Sequence, residues 1–323
     1  MNAEGDRMTY RFAHRFLLCS MLVAPVASDA QAITVTLLGT GHPEPSLERF
    51  GPGTLVKAAD QYLLVDAGRG TTQRIWELAV RVGEVRRVFL THLHSDHVVG
   101  LGDIWLTGWL RNAFGRRTGP LSVYGPPGTA AMVRSLRQAY VEDVRQRMAG
   151  RPDSTVEILG HDVREGVVYS YGGVKVIAFS VDHGNPPIPS RGYRLEHGGR
   201  SVVVSGDTRH SENLIRFAAG TDLLIHEVMA AAPGAGSGPA IRQVLTSHTS
   251  PEEAADVFLR VKPKLAVFTH VSIVGSPARR QEILDGIVQR VRRIYAGPLA
   301  VGEDRMVIVI GDSVQLRRSD RDR

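Results

Sequence analysis

The stretch THLHSDHVVG, residues Thr91 to Gly100, carries three histidines and one aspartate within six positions. The apolar run Val88 to Leu90 comes directly before it and predicts a buried strand. Because side chains alternate along an extended chain, His92 and His94 are expected to point in the same direction. The stretch therefore predicts two imidazoles side by side at the carboxyl end of a strand.

The adjacent pair Asp96 and His97 follows as a helix begins, and it can turn toward a second centre. Imidazole and carboxylate ligands without thiolate suit zinc, with iron or manganese as alternatives. A structural zinc site is normally closed by cysteines, whereas the chain has a single cysteine, Cys19, near its start. These residues favour a catalytic site with two metal ions.

Two metals about 3.5 to 4 Å apart need more ligands than four residues provide, including a carboxylate that bridges them. Three further candidates each follow a run that predicts a strand: His183, Asp207 and His270. A loop histidine or a helix-capping aspartate is the ordinary alternative for each one alone. Together with the first cluster, the three are predicted to be ligands.

Short β-patterned runs alternate with helical patterns along the chain. The predicted strands are Ile33–Leu38, Thr54–Val65, Val88–Thr91, Leu121–Tyr124, Val167–Val181, Tyr193–Val204, Leu223–Ile225, Leu265–Thr269 and Met306–Ile310. The predicted helices are Thr72–Val82, Val98–Arg111, Thr129–Met148, Pro251–Val261 and Arg280–Tyr295. Glycine pairs at Gly172-Gly173 and Gly198-Gly199 predict hairpins, so the pattern indicates mixed sheets flanked by helices.

The first 32 residues have the order of an export signal. Three arginines precede the apolar run Phe16–Ala27, and Ala30-Gln31-Ala32 supplies a small-x-small cleavage site. Residues 1–32 are therefore predicted to be a signal peptide of a periplasmic or secreted protein, with a buried first helix or strand as the alternative. The run is too short for a transmembrane helix, which needs ~20 residues.

Composition places the chain among ordinary globular proteins, with 43% hydrophobic and 22% charged residues in 323. Since no linker or repeat divides it, residues 33–323 are predicted to form one catalytic domain. The net charge of +6 could indicate a polyanionic partner. The arginines of the predicted helix Thr129–Met148 are instead spaced as a solvated face that also carries Glu142 and Asp143.

Taken together, the motifs resemble the metallo-β-lactamase superfamily, in particular its ribonuclease Z and arylsulfatase-like branch. In the family's order they are LLGTGHPEP, LLVDAGRGT, THLHSDHVVGL, VDHGNPPIPSRGYRLE, VVSGDT, LLIHEV, LTSHTSPEEAA and LAVFTH. The resemblance implies an α/β protein, an αββα sandwich of two mixed β-sheets flanked by helices. It also implies one metal held by His92, His94, His183 and Asp207, and another held by Asp96, His97, the bridging Asp207 and His270.

Histidine at position 94 favours hydrolysis, because diiron redox members of the superfamily usually carry glutamate there. In a hydrolase of this kind a hydroxide shared by two metals, most simply zinc, attacks the substrate. The resemblance implies that His248 is the general acid and that Glu227 orients it, so that these two and Asp96 are the candidates for catalysis. A polar residue near a helix start is the alternative for His248.

Four other residues lie near these motifs. Asp66 matches a family aspartate beneath the metal centre, with a turn or capping role as the alternative. His42 is expected to border the cleft. Trp105 and Trp109, four apart on one helical face, are expected to fill the core rather than line the pocket.

The spacing between two motifs favours a small substrate. Relatives that process transfer RNA insert a long arm between the third-motif histidine and the GDT aspartate, whereas only 207 − 183 = 24 positions separate His183 from Asp207 here. Export would also separate the enzyme from transfer RNA. We therefore expect an anionic ester, such as an aryl sulfate or phosphodiester, and no nucleic-acid partner. A ribonuclease Z-type tRNA 3′-processing endoribonuclease is the first alternative; a lactonase, a β-lactamase and a non-catalytic metal-binding scaffold follow. The sequence leaves open whether the protein forms a homodimer.

Overall fold

The structure, a computed structural model, describes residues 31–148, 153–184, 186–232, 235, 238–275 and 279–317. The predicted signal peptide lies outside the described residues except for its last two positions, and the first strand begins directly after them at Ile33. None of the helices in the described ranges combines the length and the apolar content needed to cross a membrane.

The strands in the described ranges are short and numbered in chain order. They are β1 (Ile33–Gly39), β2 (Gly53–Ala58), β3 (Gln61–Val65), β4 (Val85–Phe89), β5 (Leu121–Gly125), β6 (Ile158–Asp162), β7 (Gly166–Tyr171), β8 (Val174–His183), β9 (Ile188–His197), β10 (Arg200–Val204), β11 (Leu223–Ala231), β12 (Leu265–Val274), β13 (Leu299–Val301), β14 (Val307–Ile310) and β15 (Val314–Arg317).

Helices connect many of these strands. They are α1 (Thr71–Glu77), α2 (Ser95–Val98), α3 (Leu101–Trp109), α4 (Thr129–Ala139), α5 (Val141–Met148), α6 (Glu212–Ala218), α7 (Pro239–Leu245), α8 (Pro251–Val261) and α9 (Arg280–Arg292). Helix α8 begins with the predicted capping box, in which Ser250 and Glu253 bond reciprocally and Pro251 occupies the first turn.

Two mixed sheets form the centre of the molecule. One has the strand order β15-β14-β1-β2-β3-β4-β5-β6, and the other has the order β13-β12-β11-β10-β9-β8-β7. In the first sheet β1, β2 and β3 pair antiparallel, while β3 to β6 pair parallel. In the second sheet β7 to β10 pair antiparallel, while β10 to β13 pair parallel. The predicted mixed sheets are confirmed.

Three apolar cores separate four layers. Between the sheets, Val35 and Phe89 from the first pack with Tyr193 from the second. Helices α1, α3 and α4 cover the outer face of the first sheet, and α6, α8 and α9 cover the outer face of the second. Parallel strands need such helical cover on their faces. The αββα sandwich predicted from the resemblance is confirmed.

Several predicted elements divide at tight turns. The predicted strand Thr54–Val65 forms the hairpin of β2 and β3, because Ala59 adopts a left-handed φ of 52° between them. The predicted helix Val98–Arg111 starts earlier and breaks at Gly100, which gives α2 and α3. The sequence patterns missed the short elements β6, β13, β15, α6 and α7.

The two tryptophans of α3 lie in the core, as expected. Trp105 is 2% exposed and donates its indole N–H to the Val156 carbonyl at 2.6 Å. Trp109 is 5% exposed, and its indole N–H donates to Asp153 at 3.2 Å. Both rings therefore fix the packing of α3, the helix that follows the histidine-rich stretch.

Candidate active site

The histidine-rich stretch and the later motifs meet at the carboxyl ends of neighbouring strands. His92 and His94 follow β4, and Asp96 and His97 lie on α2. His183 ends β8, Asp207 follows β10, and His270 lies within β12. Parallel strands place their carboxyl ends at one edge of a sheet, where sites of this kind form. The structure thus brings all seven predicted ligands together.

Three imidazoles form one half of the cluster. Nε2 of His92 lies 2.9 Å from Nδ1 of His94, and Nε2 of His183 lies 3.4 Å from the same atom. Asp207 Oδ2 is 3.8 Å from Nε2 of His92 and 3.9 Å from Nε2 of His183. Donor atoms of His92, His94 and His183 all lie within 4.8 Å of one another, which is compatible with a shared cation.

The other half of the cluster shares the same aspartate. His270 Nε2 lies 3.3 Å from Oδ2 of Asp96 and 3.3 Å from Oδ2 of Asp207. His97 Nε2 lies 3.5 Å from each of these carboxylate oxygens. Asp207 Oδ2 is therefore close to donor atoms of both halves, as a bridging carboxylate must be.

Two unsatisfied atoms test whether the site fits divalent metals. His97 Nε2 and Asp207 Oδ1 are buried without a hydrogen-bond partner among the described residues. Such atoms are rare in folded proteins because leaving them unpaired is costly. A cation bound between them would satisfy both, and a set of imidazoles and carboxylates without sulfur suits a divalent ion. The residues present fit the group that the fold family implies.

The electrostatics of the cluster also suit a cation. Burial lowers the pKa of His92 well below its usual value, and it lowers the pKa values of His94 and His183 in the same direction. These imidazoles are therefore neutral, which is the form that binds metal. Burial opposes ionisation of Asp207, but His270 and His97 outweigh it and hold the pKa well below the usual range. The aspartate is therefore anionic.

Asp66 supports the cluster from beneath. Its Oδ2 lies 2.8 Å from Nδ1 of His97, while its carboxylate accepts the backbone N–H of Thr91 at 2.8 Å and the Thr91 hydroxyl at 2.9 Å. A histidine that donates Nδ1–H to a carboxylate presents Nε2 as a ligand atom. Burial lowers the pKa of His97, but Asp207 and Asp66 outweigh it and raise the pKa well above normal. The same two carboxylates would attract a divalent cation.

His248 and Glu227 form a separate pair at the edge of the cluster. His248 Nδ1 lies 3.1 Å from Oε1 of Glu227, which also accepts the backbone N–H groups of Thr208 and Thr249. Glu227 is completely buried. The pairing of its strand, β11, with β12 shifts register between Glu227 and Val228. Burial lowers the pKa of His248, but the carboxylate outweighs it and raises the pKa to about 9. The imidazole can thus hold a proton at neutral pH.

The cluster opens into a cleft of about 550 Å³. His42 borders this cleft, as expected, and its ring meets the ring of His270 edge-on at 6.5 Å. Burial and His270 lower the pKa of His42 to about 4. Apolar residues among its lining include Ile188, Met229 and Val244.

Sequence reasoning missed three groups that hold the site in place. Ser272 Oγ lies 3.2 Å from Nδ1 of His270, and the Ser247 carbonyl lies 2.9 Å from Nδ1 of His183. The alternation of β12 is interrupted at His270, where φ is 42° and the pairing with β11 skips one residue, so no simple pattern identifies Ser272. Asp304 is the third: it accepts the Thr40 N–H, the Thr40 hydroxyl and the Phe50 N–H at 2.8 to 2.9 Å.

Asp304 thereby anchors both ends of the loop that carries His42. Arg74 also approaches it, with Nη2 at 3.2 Å. The Thr40 carbonyl in turn accepts the N–H of Val271, the residue after His270. No local pattern indicates these contacts, since Asp304 lies 264 positions from Thr40.

Comparisons with known proteins agree with this geometry. Residues 61–271 match the family described as Beta-lactamase superfamily domain. "Ribonuclease Z" of Mycolicibacterium gilvum (strain PYR-GCK) is 40% identical over 259 residues, which is 77% of this chain and 88% of that protein. "Ribonuclease Z" of Mycobacterium bovis (strain BCG / Pasteur 1173P2) is 36% identical over 257 residues, 77% of this chain and 90% of that protein.

Solved structures share the fold. The metallo-beta-lactamase fold protein YhfI from Bacillus subtilis superposes with a TM-score of 0.68 at 18% identity, covering 86% of this chain and all of that chain. Human tRNase Z, short form, gives a TM-score of 0.60 at 22% identity, and the match covers 85% of this chain and 98% of that chain. At this identity the likeness concerns the fold alone.

These relatives correct two predictions. The expectation of an arylsulfatase-like hydrolase with a small anionic ester as substrate was wrong, because relatives 36% to 40% identical are named ribonuclease Z. The expectation that nucleic acid is not a partner was wrong for the same reason. Both rested on the short span between His183 and Asp207 and on the predicted export away from tRNA. A missing arm removes one means of holding a large substrate, but it leaves the hydrolytic cluster unchanged.

The recognition made from the motifs is confirmed, and so is hydrolysis. The family match covers most of the motifs, and the donor cluster is complete in the described residues. The chain is a metal-dependent hydrolase that belongs to the β-lactamase superfamily, with ribonuclease Z proteins among its relatives.

Proposed function

We propose that this protein is an endoribonuclease of the ribonuclease Z type, which hydrolyses a phosphodiester bond in tRNA precursors with a 3′ extension. One observation carries the proposal: the seven predicted ligands converge in a chain that is 40% identical to a ribonuclease Z over 88% of that protein. The alternative considered from the sequence thus becomes the main hypothesis.

Two divalent ions, zinc by the chemistry of the donors, are proposed to occupy the cluster. His92, His94 and His183 would hold one, Asp96, His97 and His270 the other, and Asp207 would contact both. When bound, such a pair supplies an activated water and offsets negative charge on the phosphate oxygens.

The chain's own residues then orient the ligand side chains and protonate the leaving oxygen. Asp66 fixes the ring of His97 through the 2.8 Å contact, so that the ligand atom of His97 faces Asp96 and Asp207. Glu227 holds the ring of His248 and keeps a proton on it. His248 gives that proton to the leaving ribose oxygen as the phosphorus–oxygen bond breaks. Glu227 acts through His248 and is a positioning residue.

Cleavage of a tRNA precursor tests the proposal. Purified protein loaded with zinc should cut a 3′-extended tRNA once, near the end of the acceptor stem, whereas a chelator should stop the reaction. Asp96→Asn should abolish cleavage, because it weakens one metal position. The matched control is Asp103→Asn on α3, an exposed aspartate that bonds only Thr107 within the described residues, and it should cleave normally. Hydrolysis of simple esters without any RNA cleavage would contradict the proposal.

Export through residues 1–32 remains a prediction of its own. The start of β1 at Ile33 supports it, because cleavage after Ala32 would leave β1 and every later strand of the described residues intact. Protein recovered from the cell envelope should therefore begin at or near Ile33 on N-terminal sequencing. An intact chain confined to the cytoplasm would refute the export signal without affecting the proposed nuclease activity.

A further inference from the structure

We propose that Asp304 is a positioning residue for the metal ligand His270, and that it acts through the backbone of Thr40. The inference rests on the proposed metal site, because it requires that His270 binds one of two ions, but it does not depend on the substrate. Asp304, Thr40 and Val271 form what is called the clamp below. The clamp holds the backbone of the histidine in a conformation that a regular strand does not adopt.

The backbone of His270 is unusual for a strand residue. Its φ is 42°, in the left-handed region that residues other than glycine rarely adopt. Strand β12 pairs with β11 up to Thr269 and again from Val271, so His270 is an extra residue, a β-bulge. Such conformations persist only where the surrounding structure enforces them. Contacts from outside the strand must therefore hold His270 in place.

The bulge directs the side chain of His270 toward the other ligands. Phe268 and Val271 both pack in the core between the second sheet and its helices, although they are three positions apart. In a regular strand residues two apart share a face, so His270 would follow Phe268 into that core. The extra residue changes the alternation, and Nε2 of His270 lies 3.3 Å from carboxylate oxygens of Asp96 and Asp207. The orientation of this ligand thus depends on the bulge.

Hydrogen bonds from two other segments fasten the bulge on both sides. After it, the N–H of Val271 donates to the Thr40 carbonyl at 3.2 Å. Thr40 follows β1 of the first sheet, so this bond joins the two sheets next to the ligand. Before it, the N–H of Gly302 donates to the Phe268 carbonyl at 2.8 Å. The Thr40 carbonyl is the contact that comes from outside the second sheet.

Asp304 fixes the position of Thr40. Its Oδ1 accepts the N–H and the hydroxyl of Thr40, each at 2.9 Å, and its Oδ2 accepts the Phe50 N–H at 2.8 Å. Arg49 Nη1 donates to the Thr40 hydroxyl and to the Gly302 carbonyl, both at 2.8 Å, and so links the two fastening points. Thr40 is completely buried, and the Asp304 side chain is 4% exposed. Since a carboxylate forms stronger hydrogen bonds than a neutral amide, Asp304 holds the Thr40 carbonyl where the bulge requires it.

Metal binding tests the clamp without the use of RNA. Asp304→Asn keeps the size of the side chain but replaces one acceptor oxygen by an N–H donor. The ion held by His270 should then bind roughly 10- to 100-fold more weakly, the usual effect of losing a group that orients a ligand. The other ion should bind as in the wild type. Titration with cobalt(II), followed by its visible absorption and by competition with a chelating dye, measures both affinities, and His270→Ala identifies the ion that belongs to His270.

Two further comparisons separate the clamp from a general loss of structure. Asp304→Asn combined with His270→Ala should bind metal no more weakly than His270→Ala alone, because the clamp acts through that ligand. Thr40→Val removes the hydroxyl that Asp304 accepts, so it should weaken the same ion. Thr40→Ser keeps a hydroxyl and should bind both ions as the wild type does. If Asp304→Asn does not fold, the two Thr40 variants decide the question.

Asp222→Asn is the matched control. Asp222 is also buried, at 7% exposed, and accepts the Ser201 N–H at 2.7 Å, but it lies directly before β11, whereas the ligands lie at the carboxyl ends of the strands. This variant should have a lower thermal unfolding midpoint and wild-type affinity for both ions. Equal losses of affinity in Asp304→Asn and Asp222→Asn, equal losses at both ions, or a further loss in the double variant would overturn the inference.

The same titrations distinguish this inference from the proposals on which it rests. Wild-type protein that binds fewer than two ions would overturn the two-metal site together with the clamp. Protein that binds two ions but cuts no RNA would contradict the proposed nuclease alone, because the affinities of the variants still decide whether Asp304 positions His270. A selective loss at the His270 ion, absent from the Asp222 control and abolished by His270→Ala, is the result expected of the clamp.

Discussion

Asp207→Ala should remove one or both of the two metals. It should also lower the rate of RNA cleavage by roughly 10⁴-fold or more, since metals contribute several kcal/mol of transition-state stabilisation. The physical reason is the position of its Oδ2, which lies within 4 Å of donor nitrogens from both halves of the cluster. Each of the other proposed ligands belongs to only one half of the cluster. Elemental analysis of the purified protein, together with kcat/KM on a tRNA precursor, measures both effects.

Asp312→Ala is the matched control for this variant. The Asp312 side chain is 76% exposed, it pairs with Arg200, and neither residue lines the cleft. This control should keep about two metals per chain, the number that a two-metal site requires, and should cleave at the wild-type rate. A metal-free preparation that is fully active would contradict the metal mechanism itself.

The convergence of the proposed ligands could be predicted because they lie in or shortly after apolar runs that form strands. Val88 to Leu90 precede His92, and Val202 to Val204 precede Asp207. The local signal and the sheet topology therefore lead to the same edge. Predicted element boundaries were less accurate, because a single left-handed residue such as Ala59 divides a run whose hydrophobic pattern is continuous.

Contacts between distant parts of the chain could not be predicted. Asp304 anchors the loop of His42 through hydrogen bonds across 254 to 264 positions, and no periodicity encodes them. The orientation of His248 by Glu227 came from the resemblance, because the two residues lie on different elements. Packing of the sandwich brings such groups together.

The substrate prediction failed for a related reason. It was drawn from the lack of an insertion between His183 and Asp207 and from the predicted export, and neither says anything about the chemistry of the cleft. The arginine-rich helices α4 and α5 were correctly expected to expose a charged face. Arg145 pairs with Glu142, and Arg147 pairs with Asp143, at 2.6 and 2.8 Å. Exposed pairs of this kind stabilise little, and they leave less free positive charge for RNA.

His248→Ala separates proton donation from metal binding. The variant should keep both metals, because the seven proposed ligands are unchanged, and it should lose roughly 10²- to 10⁴-fold in the rate of RNA cleavage, the usual contribution of a positioned acid. The loss should be much smaller for bis(p-nitrophenyl) phosphate, whose nitrophenolate leaves without a proton. Single-turnover rates on both substrates, with metal analysis of the same samples, measure the difference.

His210→Ala provides the control, since His210 pairs with Asp256 at 2.8 Å on the surface and does not line the cleft. It should leave both rates unchanged. If His248→Ala slows the two substrates equally, His248 does not protonate the leaving oxygen. If the variant loses one metal instead, His248 is a ligand. The metal lost would then be the one beside His183, whose ring centroid lies 4.8 Å from that of His248. A selective loss on the poor leaving group, with both metals retained, is the result that only proton donation explains.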